Sequence, residues 1–209
     1  MTITLYGAPM TSASRVHWAL EELGLPYENS TVDLSKGAHK QPEFLKINPN
    51  GQVPALTDGD VTLFESAAII SYLGDKYGAA KGLWFAPGTA DHAHAIQWMV
   101  WSGVSLTGAL NRMLLNTSER IPEDARNAKA AAAGKESLHN YLKVLDGHLE
   151  GKHFIQTEKF TLVDVIVGTV VGYAAMVGAD LSTHKNVATW LKGINDRPGR
   201  AVSLSANWA

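Results

Sequence analysis

Hydroxyl side chains crowd one short stretch of this chain. Between Pro9 and Arg15 it reads Met10-Thr11-Ser12-Ala13-Ser14. Such a run at a strand-to-helix junction either caps the helix or offers donors to an anion. A second stretch, Asn48 to Ser66, contains Gln52-Val53-Pro54, a turn sequence Asp58-Gly59, and Phe64-Glu65-Ser66. Val53 precedes a proline, so its backbone must be extended. Extended backbone with a free N–H and C=O pairs with another short extended peptide, as an added strand would. Asp58-Gly59 marks a hairpin between Ala55–Thr57 and Val61–Leu63. Glu65 and Ser66 open a helix over Ser66–Tyr77, whose first N–H groups attract a carboxylate. The alternative is that both residues simply stabilise a helix start. A strand edge beside an anion site suits a small peptide with free carboxylates.

The elements that must position these stretches form two halves. Residues 1–77 alternate strand and helix with short turns, the pattern of an α/β unit. They give a strand Thr2–Tyr6, a helix Arg15–Leu25, a strand Tyr27–Val32 and a short helix Gly37–Leu45. A segment rich in Gly, Ala and Pro follows (Gly78, Gly82, Pro87, Gly88), and residues 78–89 read as a linker. Residues 90–209 carry helical patterns, with a possible strand only at His153–Gln156. Leu138, Tyr141, Leu142, Leu145 and Leu149 share one helical face, as do Val187, Trp190, Leu191 and Ile194. Asp196-Arg197-Pro198-Gly199 then breaks the helix. The valines of Val165–Val177 favour a strand. Length and the Thr161…Asp164 cap pattern argue instead for a buried central helix, with Asp164 structural.

The order Gln-Val-Pro-Ala-Leu, Leu-Phe-Glu-Ser and Ile-Ile-Ser-Tyr-Leu resembles the glutathione site of the glutathione S-transferase family. So do Arg-Val-His-Trp-Ala-Leu-Glu-Glu-Leu-Gly-Leu in the first helix, His39-Lys40-Gln41-Pro42, and Phe160-Thr161-Leu162-Val163-Asp164 before an apolar helix. The resemblance runs in order over nearly the whole chain. It implies a thioredoxin-like N-terminal domain with a mixed four-stranded sheet, an all-α C-terminal domain that contributes an electrophile pocket, and a homodimer. The implied activity adds the glutathione thiolate to a hydrophobic electrophile. Glutathione is then a cosubstrate, and there is no prosthetic group.

That chemistry needs a thiolate, because a thiol is a poor nucleophile. Lowering a thiol pKa of ≈ 8.5 by ~2 units takes about 2.7 kcal/mol. One hydrogen bond to a charge supplies roughly 1.5–3 kcal/mol, and a helix N-terminus about 0.3–1 more. A single hydroxyl at a helix start therefore suffices. In serine-type members the activating serine stands two residues after a proline and four before an arginine, which here is Thr11. Ser12 takes the role after a one-residue shift, and Tyr6 has the strand position of the tyrosine-type members. Thr11, Ser12 and Ser14 have the alternative of merely capping the helix. The extra methyl of Thr11 restricts its rotamer.

The resemblance also implies that Ser66 holds the γ-glutamyl carboxylate and Glu65 faces the ammonium. Gln52 contacts the same end, and Val53 pairs with the cysteinyl unit before a cis Pro54. His39 and Lys40 match a pair that plant-type members use for the glycyl carboxylate, against the alternative of a solvated helix face. Met10 and Trp101 are placed in the electrophile pocket, although Trp98 and Trp101 also read as a core stripe.

Composition sets the limits. The chain has 209 residues, 45% of them apolar, and a net charge of −2; its pI is near 6.4. That is no basic footprint for nucleic acid, and scattered Lys and Arg argue against an anionic membrane. It contains no cysteine, which excludes disulfides, Cys-based metal sites and a Cys nucleophile. His92, His94, His139, His148 and His153 show no metal-ligand spacing. A strand pattern within two residues of the start leaves no room for a signal peptide, and Val165–Ala179 is too short to cross a bilayer, which takes ~20 residues. The expected location is cytoplasmic. Against the transferase stands a non-catalytic transferase-like binding module; glutathione-dependent peroxide or disulfide reduction, or isomerisation, are alternatives within the enzyme class.

Overall fold

The computed structural model describes residues 2–205. It contains two compact units, one made of residues up to His92 together with those from Asn195 on, the other Ala93–Ile194.

The first unit is built on four strands in the order β2-β1-β3-β4. β1 (Ile3–Gly7) alternates buried and half-buried residues. α1 (Ala13–Leu23) buries Val16, Ala19, Leu20 and Leu23, an apolar stripe at helical spacing. Gly24, at φ 57°, ends α1, its N–H reaching back to the Glu21 and Leu20 carbonyls. β2 (Tyr27–Thr31) then runs parallel to β1. A 3₁₀ turn at Ala38–Lys40 and the short α2 (Pro42–Leu45) lead to β3 (Ala55–Asp58) and β4 (Val61–Phe64). β3 is antiparallel to both β1 and β4, and the turn between them has Gly59 at φ 62°. α3 (Ser66–Leu73) continues into a wide π-type turn, Gly74–Gly78. The buried Asp58 ties the hairpin to the end of this helix: its Oδ2 accepts from Tyr72 (2.8 Å), Lys76 (2.8 Å) and Tyr77 (2.6 Å).

Two segments join this unit that the sequence had assigned elsewhere. The stretch read as a linker packs onto the π-type turn that follows α3. Trp84 is 4% exposed and covers Gly74, where an added Cβ would stand 2.5 Å from its ring. Asp75 accepts from the Trp84 indole at 2.7 Å and lies 3.0 Å from His92 Nε2. The last helix, α9 (Pro198–Ser205), lies against α1. Arg197 donates to both oxygens of Glu22 at 2.9 and 2.6 Å. Glu22 Oε1 also accepts from Trp18 at 2.8 Å, and Arg200 sits over the Trp18 ring.

The second unit is helical. α4 (Ala90–Val100) passes through a π-type turn, Trp101–Leu106, into α5 (Thr107–Leu114). α6 (Ala128–His148) is capped by Asn127, which accepts from the Ala130 N–H at 3.1 Å. It packs closely on α5: a Cβ on Gly134 would stand 2.6 Å from Met113 N. α7 (Leu162–Met176) is buried from Leu162 through Val171, so length and capping outweigh the strand propensity of its valines. Gly168 lets Ile194 of α8 (Lys185–Asn195) approach where any Cβ would overlap it.

Asp164 is the polar centre of this unit. Its oxygens accept from Thr161 N–H (2.9 Å), the Thr161 hydroxyl (3.2 Å), Ile155 N–H (3.0 Å) and Trp190 Nε1 (2.9 Å). The possible strand at His153–Gln156 does not form; those residues make bends, and the Ile155 N–H that a ladder would use is bound to Asp164. No helix among the described residues is long and apolar enough to cross a membrane.

Candidate functional site

Strand register brings the two halves of the Asn48–Ser66 stretch together. Ala55 pairs with Phe64, so Val53-Pro54, which precede β3, and Glu65-Ser66, which follow β4, lie at the same end of the sheet. Tyr6 pairs with Ala55, so the loop after β1 leaves at the same end of the sheet. The peptide bond between Val53 and Pro54 is cis, as expected.

The residues around this end are held by local devices. Asn48, buried, donates to the Gln52 carbonyl at 2.6 Å and accepts from the Asn50 N–H at 3.0 Å. It had carried no role in the sequence beyond opening the stretch, although Asn-Pro-Asn-Gly is a turn signal. Lys40 donates to the Gly51 carbonyl at 2.8 Å. Gly51 sits at φ 57°, and a Cβ there would come within 2.9 Å of His39 O and Lys40 Nζ. The ammonium of Lys40 is thus committed to the 50–51 loop. His39, beside it, encloses Nδ1 with no partner.

Glu65 has φ 67° and ψ 114°. A bulky residue at positive φ costs of order 1–3 kcal/mol and clusters at functional sites; the sequence held no sign of it. Glu65 is exposed and Ser66 buried at 8%. Among the described residues the Ser66 hydroxyl has no hydrogen-bond partner, and it stands at the first position of α3, where helix N–H groups are free.

The hydroxyl loop distinguishes its members. Thr11 Oγ1 donates to Ala8 O at 2.7 Å and accepts from Ala13 N–H at 3.2 Å. Ser14 Oγ donates to Thr11 O at 2.9 Å. Both therefore serve the turn, as the capping alternative anticipates. Ser12 occupies the N-cap position of α1 yet makes no capping bond with its side chain. Its Oγ donates instead, at a long 3.4 Å, to Val53 O. Met10, at φ 57°, is 77% exposed in the same loop. Tyr6 packs edge-on to Phe44 at 6.5 Å, among Val32, Phe44 and Ala55.

The remaining candidates lie in the helical unit. Trp101 packs edge-on against Trp98 (5.1 Å) and Tyr141 (6.0 Å), while Trp98 lies 4.5 Å from the His148 ring. His184 Nε2 meets His139 Nδ1 at 3.2 Å, a pair the spacing did not suggest. Among the described residues no three His, Asp or Glu side chains converge to hold a metal.

Comparison with known proteins agrees with this arrangement. The family model described as Glutathione S-transferase, N-terminal domain matches residues 1–75, and its C-terminal counterpart matches residues 108–198. The chain is 32% identical to Glutathione S-transferase 3 of Zea mays over 98% of its own length and 94% of the maize protein's. It is also 32% identical to Glutathione S-transferase GstB of Escherichia coli K12 over 94% of each chain. The crystal structure of the glutathione transferase URE2P6 from Phanerochaete chrysosporium, in complex with oxidized glutathione, superposes with a TM-score of 0.87 at 32% identity, covering 97% of this chain and 94% of that one. The chain belongs to the glutathione S-transferase family.

Proposed function

We propose that this protein is a glutathione transferase that joins the sulfur of glutathione to an electrophilic carbon of a hydrophobic substrate. The observation that carries the reading is the hairpin register. It sets the Val53 backbone, Glu65 and the start of α3 at one end of the sheet, beside the Ser12 hydroxyl. An extended tripeptide laid along Val53 forms main-chain hydrogen bonds through its cysteinyl unit. Its γ-glutamyl carboxylate then meets the Ser66 hydroxyl and the free N–H groups of α3, and its ammonium faces Glu65, with Gln52 alongside. The glycyl carboxylate goes to His39, while Lys40 braces the loop that shapes this end.

The thiol proton leaves to solvent. Ser12 Oγ, which gives up only a 3.4 Å bond, turns its proton to the sulfur. The sulfur's electron pair forms the new C–S bond as the leaving group departs, or as the adjacent carbon accepts a proton in an addition. Met10, exposed beside the hydroxyls, contacts the electrophile. In this reading residues 1–77 bind glutathione and residues 90–209 supply the electrophile pocket. The enzyme works in the cytoplasm as a two-fold dimer, because a small sheet domain gains by burying helices against a second copy.

The test is a panel of electrophiles, hydroperoxides and disulfides assayed with glutathione. Conjugation of at least one electrophile, with retention on immobilised glutathione and release by the free peptide, supports the reading. Retention with no turnover on any compound identifies a binding module instead. Turnover of hydroperoxides or disulfides alone identifies a reductase. Sedimentation at micromolar concentration checks the dimer; a monomer only would remove that part.

A further inference from the structure

Two histidines distant in the chain meet inside the helical unit. His139 is exposed on α6, and His184 stands directly before α8, 3% exposed. Their facing nitrogens, Nδ1 of His139 and Nε2 of His184, are 3.2 Å apart, and the ring planes make 52°. Two neutral imidazoles share one N–H across such a gap, a hydrogen bond that asks nothing more of the pair.

The separation is fixed by other bonds as well. Asp146, two turns along α6 from His139, accepts from Asn186 N–H at 2.8 Å and Val187 N–H at 3.0 Å. Asn186 Nδ2 donates back to Asp146 O at 3.0 Å. The His184 N–H bonds to Leu181 O, and its carbonyl accepts from Ala188 N–H, both at 2.9 Å. The start of α8 is therefore pinned to α6 whether or not the two rings bond to each other. Groups held in place beforehand take up a ligand at little ordering cost.

Metal–imidazole bonds of about 2.0–2.1 Å put two nitrogens about 3.3–3.4 Å apart at a tetrahedral angle and about 2.8–3.0 Å apart at a right angle. The observed 3.2 Å lies between these values. We propose that His139 Nδ1 and His184 Nε2 form a two-ligand site for a divalent zinc, nickel or copper ion, metals that imidazole suits. Water completes the coordination from the solvent side, where His139 is exposed; a third protein ligand is not required, and among the described residues none converges. When the ion binds, the donating ring moves its proton to its other nitrogen, so that both facing atoms present lone pairs. Asp180 lends negative charge to both rings and Asp146 to His184, which favours a dication. The ion joins α6 to the start of α8 at a second point beside the Asp146 bonds. None of these residues is assigned to glutathione, so the metal site and the glutathione site stand or fall separately.

The experiment is calorimetric titration of zinc chloride into the full-length protein freed of metal by a chelator, with thermal melts in parallel. The parent should bind one zinc ion per chain more tightly than any other, and should melt higher with zinc than without it. Magnesium chloride should do neither, because magnesium takes oxygen ligands. Losing even a group that only orients a ligand costs about 10–100-fold in metal affinity, so His139→Gln should bind zinc at least about tenfold more weakly and lose the zinc-dependent rise in melting. His94→Gln, which removes an exposed histidine of α4, should bind as the parent does. A parent that takes up no zinc overturns the proposal. So does a His139→Gln protein that binds as tightly as the parent, or a tight site lost in His94→Gln. The paramagnetic resonance spectrum of copper(II) bound to the parent gives a reading that needs no variant to fold: two nitrogen ligands are expected, and one or none overturns the proposal.

Discussion

Replacing Ser12 with Ala separates two hydroxyls that the sequence placed side by side. In the structure Thr11 Oγ1 is engaged twice, donating to Ala8 O at 2.7 Å and accepting from Ala13 N–H at 3.2 Å. Turning its proton to a sulfur would break a good turn bond worth about 1 kcal/mol. Ser12 Oγ has only the 3.4 Å contact to Val53 O, so its reorientation costs little. A hydrogen bond to a charged partner contributes about 1.5–3 kcal/mol. At ~1.4 kcal/mol per pH unit, Ser12→Ala should raise the midpoint of the pH–kcat/KM profile by about one to two units. Affinity for glutathione should change less, because the carboxylates carry most of the binding. Thr11→Val keeps the shape and loses the turn bonds, so it should leave the midpoint in place and lower stability by about 1 kcal/mol. The assay is the pH dependence of conjugation for the parent and both variants. A midpoint moved by Thr11→Val and not by Ser12→Ala would refute the reasoning and return the role to the family spacing.

Asp164→Ala leaves the Ile155, Thr161 and Trp190 donors buried without an acceptor. At about 1–3 kcal/mol for each orphaned group, softened by relaxation, the expected loss is about 3–5 kcal/mol in urea denaturation, with the helical unit failing first. His17 and His184 are buried, and burial pushes both below the ordinary 6.5, against the opposing carboxylates Glu21 for the first and Asp146 and Asp180 for the second; the charge of His139 pushes His184 the same way as burial does. A depressed folded value means that their contribution to stability is full above about pH 6.5 and is lost as pH falls through the lower folded values. Melts should therefore weaken from pH 7 toward pH 5, and less steeply in His184→Gln than in the parent.

How much of this was legible follows from the range of the contacts. The β1-α1-β2 unit and the hairpin could be read because alternation, Gly24 and Asp58-Gly59 are local signals. α7 could be read because Thr161 and Asp164 mark its start within one turn. Trp84 on Gly74, and α9 on α1, were not legible: Arg197 and Glu22 meet 175 residues apart, and no local pattern announces such a pair. The false strand at His153–Gln156 fails because Asp164, nine residues on, takes the Ile155 N–H. Within the candidate site, a sequence supplies residue types and their order but not side-chain orientations. Thr11 has the family spacing to Pro9 and Arg15, but the turn consumes its hydroxyl. Lys40 stands in a recognition pair, but the 50–51 loop claims its ammonium.

The central claim is that the end of the hairpin carrying Val53 and Ser66 holds glutathione. Calorimetric titration of glutathione into the parent and Ser66→Ala tests it most directly. The parent should bind one glutathione per chain, and Ser66→Ala should bind more weakly by about 1.5–3 kcal/mol, the value of a hydrogen bond to a carboxylate, with its melt nearly unchanged. Equal affinities for the two proteins would contradict the account.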